Sequence, residues 1–281
     1  MMLSTRTPRA DSPTQPSQPV GALLRGWRQR RRLSQLALAL DADVSTRHVS
    51  FLENGRSRPS RELLLRLAER LEIPLRDRNA LLIAAGFAPL YPERPLDDPA
   101  LQAARRAVDL VLAGHEPYPA LAIDRHWTLV SANRATEPLL DGLPVELLQP
   151  PINVLRLSLH PAGLAPRIVN LGSWRSHVFT RLRRQIEITA DPVLEGLLVE
   201  LEGYPAPAGS GGPATDRAIA GVVVPLLLRT ELGLLSLFST TTIFGTPVDV
   251  TLDELAIESF FPADSESADL LRRISPVSNP S

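Results

Sequence analysis

"LSQLALALDADVSTRHVSFLENGRSRP", residues 33–59, decides how this chain is read. Ser34 is a good N-cap for a helix from Gln35 to roughly Ala42, and Ser45 caps a second helix, Thr46 to Asn54, that Gly55 stops. The intervening "DADV" is a tight turn with Asp43 where a left-handed residue is expected, a conformation that Asp tolerates better than most non-glycine residues. Two helices joined across so short a turn make a helix-turn-helix. Leu36, Ala39 and Leu40 are expected to form the apolar side of the first helix. The second carries Arg47, His48 and Asn54 where a buried helix would carry leucines, so it presents polar groups outward.

Upstream, Val20 to Arg32 has Leu23, Leu24 and Trp27 on one helical stripe with arginines around the rest. Downstream, "SRELLLRLAERLEI" and "LRDRNALLIAAGF" repeat leucines at helical spacing and complete five helices. The whole run resembles the Cro/C1-type helix-turn-helix of the XRE family over residues 20 to about 85. The match lies at Leu33-Ser34-Gln35, Ala39, Val44-Ser45, Val49, Leu52, Glu53-x-Gly55 and Pro59-Ser60, and it departs at Asp43, where glycine is usual.

The resemblance implies that the third helix is a recognition helix in the major groove of double-stranded DNA. Thr46, Arg47 and Ser50 then stand on its outer face. Arg47 has the fork that suits guanine, and Thr46 suits a thymine methyl. Gln35 corresponds to a residue that anchors phosphate beside a base, and Arg56 and Arg58 are expected phosphate contacts, which position without specifying. Phe51 either packs on the thymine-methyl side of the groove or rests on the next helix. Ser34, Ser45 and Asn54 complete the expected DNA-facing set. Arg28 and Glu53 correspond to an ion pair that ties helix one to helix three, and His48 reads as a satisfied, partly buried histidine ahead of a base contact.

Charge supports a division of labour. Residues 1–90 carry 15 Arg against 8 Asp and Glu, a balance of +7, whereas residues 91–281 carry 15 Arg against 23 acids, a balance of −8. A basic module beside an acidic one suits a nucleic-acid reader joined to something else. With 281 residues and 44% hydrophobic content the chain is long enough for two domains. The absence of cysteine excludes disulfides and thiolate zinc sites and suggests a cytoplasmic home. The start has no apolar core of a signal peptide and reads as a disordered tail. The longest apolar run, Ala218 to Leu228, is 11 residues, against the roughly 20 of a membrane helix.

In the acidic half, Pro89, Pro92, Pro95 and Pro99 mark a stiff linker, followed by a helix from about Ala100 to Ala113. "PALAIDRHWTLVSANRATEPLL" reads as strand, turn, strand and helix, with Leu121 and Ile123 on the first strand, a turn at Asp124 to Trp127, a return over Leu129 to Ala132, and Asn133 as a cap. That order resembles the start of a PAS domain. Helices are expected over Pro151 to Leu159 and Leu171 to about Leu201, then a Gly/Pro/Ser-rich loop. Strands return in "AIAGVVVPLLLRT" and "GLLSLFSTTTIFG", a hairpin turning at Glu231 and Leu232, and again in "TLDELAIESFFPAD"; Pro225 argues for an edge or a bulge. A sheet assembled from both ends of a domain, with helices inserted between, leaves room for a cavity.

"NVLRLSLHPAGLAPRIVNLGSWRSHVFTRLRRQ" and "GTPVDVTLDELAIESFFPADSESADLLRR" are similar to the MmyB-type ligand-binding domain, a PAS-like module, over about residues 100–273, with Asn153, Leu155, Arg156 and Trp174 in place. The resemblance implies a homodimer and a pocket for a fatty-acyl chain. An acyl ligand wants an apolar tunnel and one cation or donor for its head group, and Arg156, His160, Trp174, Arg175 and His177 are the candidates for that polar end.

Catalytic and metal readings find little support. His115, His126, His160 and His177 are scattered without the i, i+4 pairing of a helical zinc site. No Gly-x-Ser-x-Gly occurs, Ser210 lies in a low-complexity loop, and no Gly-Lys-Ser/Thr ends a phosphate loop. The expectation is a non-enzymatic regulator with no catalytic residue, no metal and no cofactor beyond a fatty-acid-like effector. Its fold is an N-terminal all-α five-helix Cro/C1-type helix-turn-helix domain (20–88), a linker (89–99) and a C-terminal α+β PAS-like domain with antiparallel sheet and inserted helices (100–273), between disordered tails (1–19 and 274–281). It binds a palindromic operator as a homodimer under the control of a small apolar ligand; the alternative makes the second domain an unliganded dimerisation and protein-contact scaffold.

Overall fold

The computed structural model describes residues 19–205, 224–245 and 247–274. The expected tails before residue 19 and after residue 274, and the Ser210 loop with the apolar residues 218–223 behind it, lie outside them. The chain divides between Tyr91 and Pro92 into two compact units.

The first unit has five helices: α1 (Val20–Arg30), α2 (Gln35–Asp41), α3 (Thr46–Glu53), α4 (Arg61–Arg70) and α5 (Leu75–Ala84). Serines start three of them. Ser34, Ser45 and Ser60 accept hydrogen bonds from the backbone N–H groups of Ala37, His48 and Leu63, satisfying donors that a helix start otherwise leaves open. Asp43 adopts φ 52° in the turn between α2 and α3, and Gly55 ends α3 at φ 69°. The core gathers Leu24 and Trp27 of α1, Leu38 of α2, Val49 and Leu52 of α3 and leucines of α4 and α5.

One expectation here is corrected. α2 buries Leu38 and Ala39, while Leu36 and Leu40 are 57% and 73% exposed. Residues 36-39-40 and 38-39-42 both have helical spacing, and a helix of seven residues is too short for periodicity alone to choose between them. Gly21 was also unread. A Cβ there would collide with the Leu52 carbonyl oxygen and lie 2.7 Å from that of Glu53, so only glycine lets α1 press this closely against the end of α3.

The second unit begins with a 3₁₀ turn (Pro99–Leu101) and α6 (Gln102–Gly114), then β1 (Ala120–Ile123), β2 (Leu129–Ala132), a 3₁₀ turn (Arg134–Thr136) and α7 (Glu137–Leu140). α8 (Val154–Leu159), α9 (Leu171–Thr189) and α10 (Pro192–Glu202) follow, then β3 (Leu226–Thr230), β4 (Gly233–Ile243), α11 (Val250–Asp253), β5 (Ala256–Pro262) and α12 (Ser265–Ile274). The strands form one antiparallel sheet in the order β2-β1-β5-β4-β3, so both ends of the unit build it and the helices between β2 and β3 are inserted, as the strand pattern predicts.

The hairpin turns at Glu231 and Leu232 as expected, with Thr230 opposite Gly233, and Pro225 stands just before the edge strand β3. The helix expected over 171–201 is two helices. Ala190 closes α9 at φ 51°, and Asp191 caps α10, whose first residue is Pro192. Proline at a first helical position has no N–H to lose there, but its ring prevents α9 from running through. Asn133 does not cap with its side chain. Buried at 6% exposure, it accepts from Ala120 N–H and donates to the carbonyls of Leu112 and Tyr118, tying α6 to β1.

Alternation gives the sheet two different faces. Ala120, Ala122 and Ile257 pack with Val108 and Leu112 of α6 in a small cluster. Ile123, Leu226, Leu228, Leu235 and Leu237 join α8, α9, α10 and α12 in the main core.

Candidate functional site

In the first unit the polar surface of α3 is held from behind by one ion pair. Arg28 donates from Nε to Glu53 Oε1 at 2.6 Å and from Nη2 to Oε2 at 2.9 Å, a bidentate pairing of α1 with α3. Both side chains are nearly sealed, at 11% and 2% exposure. Burial works to raise the Glu53 pKa, but the hydrogen bonds from Arg28 and Gln35 outweigh it and hold the carboxyl below its ordinary range. Arg28 also donates to the Leu33 carbonyl at 2.7 Å, so it braces the turn into α2.

Around this brace the structure places the expected DNA-facing residues as follows. Ser34 and Ser45 are exposed caps; Arg47, Asn54, Arg56 and Arg58 are exposed; Gln35, Thr46, Ser50 and Phe51 are half-buried. Gln35 donates to Glu53 Oε2 at 2.8 Å, which joins it to the ion pair. Asn54 folds back to donate to the Ser50 carbonyl at 2.8 Å. The Arg47 guanidinium lies over the Phe51 ring, 5.1 Å from its centre, so Phe51 is a platform that orients Arg47. His48 departs from expectation: its Nε2 is buried with no hydrogen-bond partner among the described residues.

The second unit encloses a cavity of about 120 Å³ between the main sheet face and the inserted helices. Sheet register sets its floor. Leu121, Glu258 and Thr241 stand side by side across β1, β5 and β4, and Phe260 lies opposite Ser239 in the next row on the same face. The roof comes from helices. Trp174, Val178 and Arg181 of α9 fall at i, i+4 and i+7, one stripe aimed inward, with Leu155 and Ser158 of α8 beside them. Trp127 forms a wall; its Nε1 donates to Gln185 Oε1 at 2.9 Å, and the Arg181 guanidinium lies 4.9 Å from its ring centre.

Almost every lining group is apolar except at one place. Arg181 Nη2 donates to Glu258 Oε1 at 2.5 Å and to Thr241 Oγ1 at 3.0 Å, and Thr241 Oγ1 donates to the same Oε1 at 2.7 Å. The Glu258 side chain is 3% exposed. The sequence reading missed this pair. Its signal was nonetheless present, because an arginine on the apolar stripe of α9 and a glutamate inside the central strand β5 are both out of pattern.

Of the residues expected to supply a polar end, the structure brings only Trp174 to the cavity wall, where its Nε1 donates to Ser158 Oγ at 2.9 Å. Arg156 pairs with Glu200 at 2.7 Å outside the cavity lining, and Tyr204 donates to the same carboxylate at 2.6 Å. Burial, and then the bond to Glu200, push the Tyr204 hydroxyl up to about 12. His160 meets Tyr204 edge to face. Arg175 donates to the carbonyls of Tyr204 and Leu201, tying α9 to the end of α10. His177 stacks on Trp174 with ring centres 5.5 Å apart, behind the wall; burial and then the Arg181 charge lower its pKa, against a smaller opposing effect of Glu258. These side chains frame the helices around the cavity. Among the described residues no cluster of His, Asp and Glu is arranged to hold a metal ion, and no helix is long and apolar enough to cross a membrane.

A helix-turn-helix unit followed by an α+β unit with an apolar cavity is the build of a DNA-binding regulator that carries a ligand-binding domain. Comparison with known families gives the same division: the helix-turn-helix model matches residues 24–77, and the model of the MmyB-like transcription regulator ligand binding domain matches residues 104–274. The chain belongs to the MmyB-like transcription regulators. Among solved structures, the crystal structure of the clp gene regulator ClgR from Corynebacterium glutamicum is 32% identical, over 35% of this chain and 90% of that one, with a TM-score of 0.21. No curated protein matches significantly.

Proposed function

We propose that this DNA-binding transcription regulator is a one-component switch, in which a small apolar molecule in the cavity of the second unit changes the protein's hold on its operator. The observation that carries the reading is the cavity, apolar on nearly every wall, in a unit matched by a ligand-binding family. Its volume of about 120 Å³ is close to the roughly 150 Å³ of an engineered cavity that takes up benzene. A ring or a short chain fits the walls as they stand, whereas a long fatty-acyl chain requires α8 or α9 to move off the sheet. The effector would act through its different affinities for two conformations of the protein.

On the DNA side, α3 is the recognition helix, with Arg47 and Thr46 toward base edges and Ser50 on the same face. Ser34, Gln35, Ser45, Asn54, Arg56 and Arg58 flank it toward phosphate, and Phe51 supports Arg47. A homodimer that presents two such helices about 34 Å apart suits a palindromic double-stranded operator. A chain without cysteine that reads DNA suits the cytoplasm.

The test is extraction of the purified protein with organic solvent, identification of any stoichiometric compound by mass spectrometry, and a gel-shift titration of operator DNA with and without it. Recovery of an apolar compound that shifts the titration supports the switch. If nothing is recovered, and no small apolar compound alters DNA binding, the second unit acts as an unliganded dimerisation and protein-contact scaffold instead.

A further inference from the structure

We infer that Asn79 and Asp249 are positioning residues that leave no slack where the chain passes from the first unit to the second, so that a change of state in one unit is passed to the other through Tyr91 and Pro92. This rests on the reading of the protein as a switch and goes further by assigning the route. The residues at the junction were expected to form a linker, yet each unit takes hold of its own end of it. On the α5 side, Asn79 Oδ1 accepts from the Leu90 and Tyr91 N–H groups at 2.9 and 3.0 Å, and its Nδ2 donates to the Tyr91 carbonyl at 2.6 Å. A side-chain amide has both a donor and an acceptor end, and here both are used on one short stretch of backbone.

On the α11 side the hold is a buried carboxylate. The Asp249 side chain is 1% exposed; its Oδ1 caps α11 at the Thr251 N–H, 2.9 Å away, and its Oδ2 takes Arg94 Nη1 at 3.0 Å. A carboxylate sealed this far needs a counter-ion, so its burial keeps Arg94 in place. The backbone is held with it. Val250 N–H donates to the Pro92 carbonyl at 2.9 Å, and Thr251 Oγ1 donates to the Arg94 carbonyl at 2.5 Å. Only Glu254 and Leu255 separate α11 from β5, whose Glu258 and Phe260 line the cavity.

Backbone geometry leaves one soft rotation between the two holds. The Tyr91 carbonyl lies in the peptide plane that Tyr91 shares with Pro92, and the Pro92 carbonyl lies in the next plane. The first is anchored by Asn79 and the second by Val250. Between the planes stand Pro92 φ and ψ, and the ring fixes φ at about −65°, so only ψ turns. A movement of α11 that begins at the cavity has that one dihedral in which to be absorbed before it reaches α5. Coupling of this kind runs through contiguous bonded groups, and linkage makes it equal in both directions. DNA bound by the first unit must therefore alter α11 and β5 as surely as a cavity ligand alters the hold on DNA.

That reciprocity allows a test without a cavity ligand. The probe is a DNA duplex selected from a random-sequence pool for binding to the full wild-type chain, and the measurement is amide hydrogen exchange by mass spectrometry with and without saturating duplex. In the wild type, exchange in peptides covering residues 249–262 should change by about fivefold or more, the lower end of ordinary coupling between sites. Inserting Gly-Ser-Gly-Ser-Gly-Ser between Tyr91 and Pro92 leaves both holds intact and gives the junction slack. That variant, saturated with duplex, should still protect α3 and should lose the change in 249–262. Asn79→Ala should lose it in the same way, and decides alone if the insertion prevents folding. No change in the wild type, or the wild-type change retained in either variant, would overturn the assignment. Failure of the switch reading looks different: DNA would alter 249–262 in the wild type while no apolar compound altered DNA binding. A compound that shifted DNA binding equally in the wild type and the insertion variant would keep the switch and remove this route.

Discussion

Replacing Glu53 with alanine should cost the first unit about 3–5 kcal/mol, the usual cost of breaking a buried ion pair from one side. The magnitude follows from what is left behind. Glu53 accepts three hydrogen bonds, from Arg28 Nε, Arg28 Nη2 and Gln35 Nε2, at 2.6, 2.9 and 2.8 Å. Without it, Arg28 keeps only the Leu33 carbonyl and stays sealed at 11% exposure, a charge with neither water nor a counter-ion. Domains of this size have only about 5–15 kcal/mol of stability in total, so the loss is a large share of it. Amide hydrogen exchange by mass spectrometry on the full chain reads the effect where it arises, in α1 and α3. Exchange through global opening of the unit should accelerate by on the order of 10²–10⁴-fold. A paired replacement of Arg28 and Glu53 by well-packed apolar residues should be much milder, because no charge is left uncompensated. The wild type should also show an acid limb. Because the folded Glu53 pKa lies below its unfolded value, its contribution is present above the ordinary carboxylate range and lost as pH falls through the folded value. Unchanged exchange in α1 and α3 of the single variant would refute the claim that this pair ties α3 to α1.

Arg47→Ala should lose discrimination at one base position by about 1–3 kcal/mol, whereas Arg58→Ala should weaken all sequences alike and reduce the salt slope; quantitative binding to single-base operator variants at two salt concentrations separates the two. Gly21→Ala should destabilise the first unit by about 1–3 kcal/mol, since the added methyl meets backbone oxygens that cannot swing aside; calorimetry of the full chain checks it. His177, with its pKa lowered from the ordinary 6.5, supports the second unit while neutral. That contribution is present above about pH 6.5 and lost as pH falls through the lower folded value, so His177→Gln should flatten this part of the stability profile in denaturant melts from pH 7.5 to 5.

Local chemistry explains what could be read in advance. Caps, the Asp43 turn and the Gly55 stop are each decided by one residue acting on its own backbone, so the boundaries of α2 and α3 were legible. The Arg28–Glu53 pair came with the resemblance, which carried spatial information that helical spacing alone lacks. Where two phases of one pattern were equally good, as with Leu36 and Leu40 against Leu38 and Ala42, the partner surface chose, and that choice is tertiary. The break at Ala190 had a visible cause in Asp191-Pro192, but leucine spacing on both sides masked it.

The polar pole of the cavity shows the limit most clearly. Arg156, His160 and Arg175 drew notice because they lie close together in sequence around the inserted helices, yet each found a partner on the outer side: Glu200, Tyr204 and the end of α10. Arg181 and Glu258 are 77 residues apart and meet only because β5 lies beside β4 and under α9. Sequence spacing within one element reaches one face of that element and no further. A charge that breaks the pattern of its own helix or strand is nevertheless visible, and two such breaks of opposite sign in one domain are a stronger pointer to an ion pair between elements than several charges clustered near a helix start. By that criterion Arg181, on the stripe of Trp174 and Val178, and Glu258, on the face of Ala256 and Phe260, mark the ion pair at the cavity lining.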